Sequence, residues 1–353
     1  MPLDTIYLVR HGHRLNWSID YKTGEYMSMY PSPTGNAADP TLTSHGLRQS
    51  QELAAHLSSP EFRPKPFRVY SSPFYRCLQT IQPGVEVLKE RQKSGAADIE
   101  AGACYDVRIE NGLGEWFGST TFFDHPSPAT PTTLQPLFPT LLPSENHYKP
   151  LLIPSNRGET IAQLHNRIAT TLSAIIAEVD AEVHALESSQ PPSQKKTSKA
   201  ILISSHAAPL IAMGRALTGN MPDDSSVEDF HVFTAGLSTF VRRKSSFSSF
   251  LSPSSLSNEK EDGLGTSLAQ GTQLLRPGTD LGVLGVPNWK NGKGVGGGWD
   301  CVVNGDCRFL STGAERGWHF NGDESFDTGP MDGSSSSTKV PSLATPGIPS
   351  TKL

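Results

Sequence analysis

The feature that most constrains this chain is a short apolar run near its N-terminus, Thr5-Ile6-Tyr7-Leu8-Val9, which stops abruptly at Arg10-His11-Gly12. A continuous run of β-favouring residues predicts a strand buried on both faces, and such strands belong to sheets covered by helices. The pattern recurs twice. Phe67-Arg68-Val69-Tyr70 ends in Ser71-Ser72-Pro73, with a helix carrying Arg76, Leu78, Thr80 and Ile81 expected just beyond. Ala200-Ile201-Leu202-Ile203 runs into Ser204-Ser205-His206-Ala207-Ala208-Pro209 and a helix to Leu217. Strands separated by helices predict an α/β fold, a three-layer α/β/α sandwich with a mainly parallel sheet. Its ligand should lie at the carboxyl ends of the strands.

Between these strands the elements follow from period and punctuation. A helix is expected from about Thr43, capped by Thr43 or Ser44, with Leu47, Ala54 and Leu57 on one face and Gly46 weakening only its first turn. Asn16 to Pro40 is rich in turn residues and reads as a long loop. A short strand is expected around Cys104 to Val107, leading into the glycine-punctuated loop Asn111 to Trp116. The strongest helix runs from Glu159 to about Val183, with an apolar stripe of Ile161, Leu164, Ile168, Leu172, Ile175, Val179 and Val183. Val232-Phe233 and Leu237 to Arg242 read as two closing strands joined at Ala235-Gly236.

Only 36% of the residues are apolar, against 32 glycines and 28 prolines, so part of the chain should lie outside a packed core. The expected divisions are a domain over 1–244 with an insertion at about 117–157, a flexible linker over 245–271, a segment over 272–326 that docks back, and a disordered tail over 327–353. The aromatic residues Trp299, Trp318 and Phe320 motivate the docking segment. A net charge of -5 argues against a nucleic-acid surface, and no stretch approaches a membrane span. The four cysteines show neither zinc-site spacing nor a disulfide framework, so no metal is expected. A reducing location, cytoplasmic or nuclear, follows.

Three strand ends therefore carry Arg10-His11-Gly12, Arg76 and His206. A phosphate ester repels nucleophiles through its oxygens, so its cleavage needs cations around those oxygens and an uncharged nucleophile in line with the leaving group. A neutral imidazole and guanidinium groups suit those roles, and Arg10, Arg14 and Arg76 are the candidate cations. Arg-His-Gly alone is a weak signal; its place at the end of an N-terminal strand, joined by the other two strand ends, is what makes it specific.

On these residues the chain resembles the histidine phosphatase, or phosphoglycerate mutase-like, superfamily from about Thr5 to Arg243. The resemblance implies transient phosphorylation of His11, a phosphoryl grip by Arg10, Arg14, Arg76 and His206, and leaving-group protonation by Glu115, with Glu110 as its rival. It implies no cofactor. His13 stands where many members have Glu, and the mutase Trp-Asn and acid-loop signatures are lacking, which argues against phosphoglycerate interconversion. The Glu-Trp loop and Ser-His-Ala-Ala-Pro are closer to the Sts-type phosphatases and to fungal proteins related to the histidine-phosphatase-like subunit of transcription factor tau. Asn304 to Phe320 points the same way.

Two functional expectations follow. One is a metal-independent phosphatase acting on a phosphorylated small molecule or phosphopeptide; the other is a subunit of an RNA polymerase III transcription assembly, with a protein partner and no direct nucleic-acid contact. The remaining features have plainer readings. Gly292, Gly294 and Gly297 read as a flexible loop, because no strand precedes them. His45, His56 and His165 read as surface or packed residues, and Cys77 as a small buried one.

Overall fold

The computed structural model describes residues 2–20, 22–144, 148–191, 193, 196–244, 267–276 and 285–321. Most of the expected linker and all of the expected tail lie outside the described residues. In chain order the elements are β1 (Thr5–Arg10), β2 (Trp17–Asp20), β3 (Glu25–Ser28), α1 (Ser44–Ser58), β4 (Pro66–Ser71), α2 (Tyr75–Lys93), β5 (Val107–Ile109), α3 (Pro131–Leu134), β6 (Leu152–Ile153), α4 (Ile161–Ser188), β7 (Ala200–Ser205), α5 (Ala207–Thr218), β8 (Leu237–Arg242), β9 (Gln273–Leu274) and β10 (Trp299–Asp306).

Six strands form one sheet in the order β10-β8-β1-β7-β4-β5. β1, β7, β4 and β5 run parallel, and β8 is antiparallel to both of its neighbours. Helices cover both faces. Alternate side chains of β1 show this: Tyr7 packs on Phe62 beyond α1, with ring centroids 4.5 Å apart, while Leu8 faces Leu210 of α5. β1 and β7 are buried along almost their whole length, as a strand covered on both faces must be.

α1 and α4 start where side-chain caps place them. Thr43 accepts from the Gly46 amide to open α1, and Thr160 and Gln163 form a reciprocal capping box that opens α4. The α4 stripe from Leu164 to Val183 is buried. In α1, Leu53, Ala54 and Leu57 are buried, but Leu47, at the edge of that face in the first turn, is exposed.

Other expectations are corrected. The loop from Asn16 to Pro40 contains a hairpin, β2 pairing antiparallel with β3. The strand placed at Cys104 to Val107 starts only at Val107, where pairing with Val69 of β4 begins; the Cys104 amide bonds instead to the Phe67 carbonyl. Val232-Phe233 is not a strand. That stretch turns at Ala235-Gly236, and the strand beside β8 is β10, which puts Trp299 into the core. Trp289 before β10 and Phe320 after it are also buried in the main core. The glycine-rich run before β10 holds a close approach: a side chain on Gly294 would meet the Leu217 carbonyl at 2.2 Å, and its φ is +66°.

Candidate active site

The parallel strands are in register, so their carboxyl ends fall together. The His11 amide bonds to the Ser205 carbonyl at 3.0 Å, the Ser72 amide to the Ser204 carbonyl at 2.9 Å, and the Glu110 amide to the Ser71 carbonyl at 3.0 Å. His11 follows β1, Arg76 sits in the first turn of α2 and His206 caps α5, and their side chains are buried together. The His11 and His206 rings lie 5.4 Å apart at 60°. Arg76 links the cluster: its Nη1 donates to Ala38 O at 3.0 Å and Asp39 Oδ1 at 3.1 Å, and its Nη2 to Glu115 Oε2 at 2.8 Å and His206 Nδ1 at 3.1 Å.

The hydrogen bonds assign the imidazole tautomers. His11 Nδ1 lies 2.9 Å from the Gly12 carbonyl, which can only accept, so Nδ1 carries the proton and Nε2 the lone pair. His206 Nδ1 receives from Arg76, so its Nε2–H donates to Ser72 Oγ at 2.7 Å. Burial first, then the Arg76 charge, holds both imidazoles well below their ordinary range, so both are neutral at pH 7.

Arg10 and Arg14, both half-buried, stand beside this cluster. Arg10 Nη1 donates to Val232 O at 2.7 Å and also to Arg316 O; Arg14 Nη1 donates to Leu15 O at 2.9 Å, with its guanidinium over the Trp17 ring. Burial presses Arg10 to about 10 and Arg14 to about 9, so both remain cations at pH 7. The buried Nε–H groups of Arg10 and Arg76 have no acceptor among the described residues. Buried charged donors left without acceptors are costly, and an oxyanion would supply what they lack.

His11, Glu115 and His206 also place ligand atoms within 4.8 Å of one another, a spacing that suits a metal ion. Three guanidinium groups against the two carboxylates of Asp39 and Glu115 leave an excess positive charge, a field that favours an anion over a divalent cation.

The two candidate acids separate clearly. Glu115 reaches Arg76 and lies 3.3 Å from His206 Nδ1. Glu110 turns away, accepting from the amides of Gly112 at 2.9 Å and Leu151 at 2.8 Å and from the Tyr148 hydroxyl at 2.8 Å. It is a structural carboxylate.

The model of the histidine phosphatase superfamily (branch 1) matches residues 6–249. The chain belongs to this superfamily. Among curated relatives of this chain, the transcription factor tau 55 kDa subunit of Saccharomyces cerevisiae is 28% identical over 326 residues; the alignment covers 91% of this chain and 59% of that protein. Among solved structures, the ecdysone phosphate phosphatase from Bombix mori in complex with tungstate aligns at 18% identity and a TM-score of 0.44, over 68% of this chain and 92% of that one. A putative alpha-ribazole-5'-P phosphatase from Escherichia coli aligns at 18% identity and a TM-score of 0.36, over 69% and 92%.

Several residues that support the candidate site of this superfamily member escape a reading of the sequence. Asp39, fully buried, accepts from the Tyr75 amide at 2.8 Å and pins Arg76; it sits in a loop whose composition announces only turns. Arg167 on α4 grips Glu159 through Nε at 2.9 Å, and donates through Nη1 to the carbonyls of Gly112 at 2.8 Å and Gly114 at 3.1 Å, which steadies the Glu115 loop. Gly46 does more than weaken a turn: a Cβ there would meet the His13 carbonyl at 2.0 Å, so its absence lets α1 support the His11 loop. Cys77 Sγ lies 3.6 Å from His206 Nε2, with its thiol pushed up to about 12 by burial, which makes it inert packing.

Proposed function

We propose that the protein is a phosphatase that acts on a phosphomonoester through a phosphohistidine at His11. The observation that carries this reading is the His11 tautomer, which leaves a neutral Nε2 lone pair among guanidinium groups. In the first step Nε2 bonds to phosphorus as the bond from phosphorus to the leaving oxygen breaks, and Glu115, carrying a proton taken up from solvent as the ester binds, gives it to that oxygen. Arg10, Arg14, Arg76 and His206 hold the phosphoryl oxygens. An arriving dianion offsets the neighbouring cations and favours the protonated form of His206, in which Nδ1–H can donate. In the second step water attacks phosphorus, the bond to Nε2 breaks, and Glu115 takes the water's proton. No metal takes part. Hydrolysis of p-nitrophenyl phosphate by the full chain should fall by at least about a thousandfold in His11→Ala; equal rates would overturn the proposal.

A second reading has its own support. The match to the tau 55 kDa subunit extends beyond the family match into the C-terminal segment. We infer that the protein also takes a place in a transcription assembly, which would put it in the nucleus, bound to a protein partner. Among the described residues no helix is long and apolar enough to cross a membrane. Purification of the tagged full chain from nuclear extract should bring down other tau-type subunits; their absence from every preparation would sink this reading.

A further inference from the structure

We propose that Arg316 reads a second acidic group on the ligand, so that the preferred substrate is a phosphomonoester with another phosphate or carboxylate close to the phosphoryl group that is removed. This rests on the phosphatase reading. The dipeptide Glu315-Arg316 is brought beside Arg10 from far along the chain and is fastened there. The Arg316 carbonyl receives a hydrogen bond from Arg10 Nη1, and the Glu315 carbonyl accepts from the Thr234 amide at 3.1 Å. The Glu315 carboxylate takes His45 Nε2 at 2.6 Å and Gln49 Nε2 at 3.3 Å. Gln49 in turn receives the His13 amide at 2.8 Å, so one helix supports both the nucleophile's loop and this dipeptide.

Arg316 is held at φ +50°, a left-handed conformation that costs an L-residue, and such outliers concentrate at functional sites. Its side chain is exposed, and among the described residues no carboxylate or carbonyl receives its guanidinium. Arg308, in the same segment, is by contrast tied to Asp306 at 2.8 Å. The backbone contact to Arg10 sets this exposed side chain beside the guanidinium next to the His11 cluster, and its charge reaches Arg10, Arg14 and His13. The inner oxygens already have Arg10, Arg14, Arg76 and His206. A cation outside that set, at the surface, meets the part of the ligand that protrudes.

The test uses the full chain and calorimetric titration with two probes, orthophosphate and non-hydrolysable imidodiphosphate, which carries two anionic groups. The wild type should favour imidodiphosphate. Arg316→Ala should reduce that preference by about five- to twentyfold, Arg316→Lys should restore part of it, and Arg308→Ala should leave it unchanged. A parallel pair of phosphotyrosyl peptides, with Glu or Gln beside the phosphotyrosine, separates the sources. A preference for Glu that depends on Arg316 assigns the second group to a peptide, and dependence confined to imidodiphosphate assigns it to a small molecule. If Arg316→Ala retains both the wild-type probe ratio and the wild-type peptide preference, the proposal fails while the phosphatase reading stands. If the wild type binds neither orthophosphate nor imidodiphosphate, the phosphatase reading falls with it.

Discussion

His165 offers a measurement of how the C-terminal segment is held. Its ring is buried on α4, Nδ1–H donates to the Ile161 carbonyl at 2.7 Å, and Nε2 has no partner among the described residues. Trp289 stacks on it at 6.1 Å and Phe320 lies at 6.0 Å, both from beyond residue 285. Burial lowers its pKa to about 4. In the unfolded chain the same imidazole titrates near 6.5. Between those values the unfolded state binds more protons, so stability rises with pH through this window and is lost as pH falls below about 6.5, levelling below about 4. At pH 5 the loss from His165 alone is about 2 kcal/mol.

His165→Phe keeps an aromatic ring between Trp289 and Phe320 and removes the proton linkage. Urea midpoints of the variant and the wild type should agree within about 1 kcal/mol at pH 8. At pH 5 the variant should gain about 2 kcal/mol relative to the wild type, a shift of about 0.7 M at a slope of about 3 kcal/mol/M. Other buried histidines, such as His125, titrate alike in both proteins and cancel. A difference between variant and wild type that is the same at both pH values would refute the argument.

Four further substitutions probe the site. Asp39→Asn keeps an oxygen for Arg76 but removes the charge; it should lower stability by about 1–3 kcal/mol and weaken inhibition by orthophosphate about tenfold, whereas unchanged inhibition would reduce Asp39 to a purely structural role. Glu115→Gln should lower kcat by about a hundredfold or more for alkyl phosphates and much less for p-nitrophenyl phosphate, whose leaving group scarcely needs a proton, while Glu110→Gln should leave that ratio alone. The same loss of rate on both substrates with Glu115→Gln would remove it as the proton donor. Gly46→Ala should cut turnover by at least about tenfold with the helical circular dichroism retained, because the added methyl pushes the His13 carbonyl; undiminished turnover would mean that the loop yields freely.

The fold was largely legible because its signals are local. An apolar run marks a buried strand, Thr43 and Thr160 announce helices, and the period of α4 shows its buried face. β10 was not legible as a strand, since its alternating, half-buried pattern sits beside a glycine-rich run that reads as loop. Val232-Phe233, more apolar, drew the expectation of a strand, although pairing with β8 went to a stretch about seventy residues later.

The sequence by itself determined the three strand-to-helix units of β1, β4 and β7 and the residue types at their ends, because hydrophobic period and capping act over a few residues. Only the tertiary structure decided which polar groups meet: Asp39 with Arg76, Arg167 with the Glu115 loop, the Arg316 carbonyl with Arg10. Such pairs join residues from 37 to 306 positions apart, and a charged side chain leaves no mark in its neighbours to say which distant partner will offset its burial.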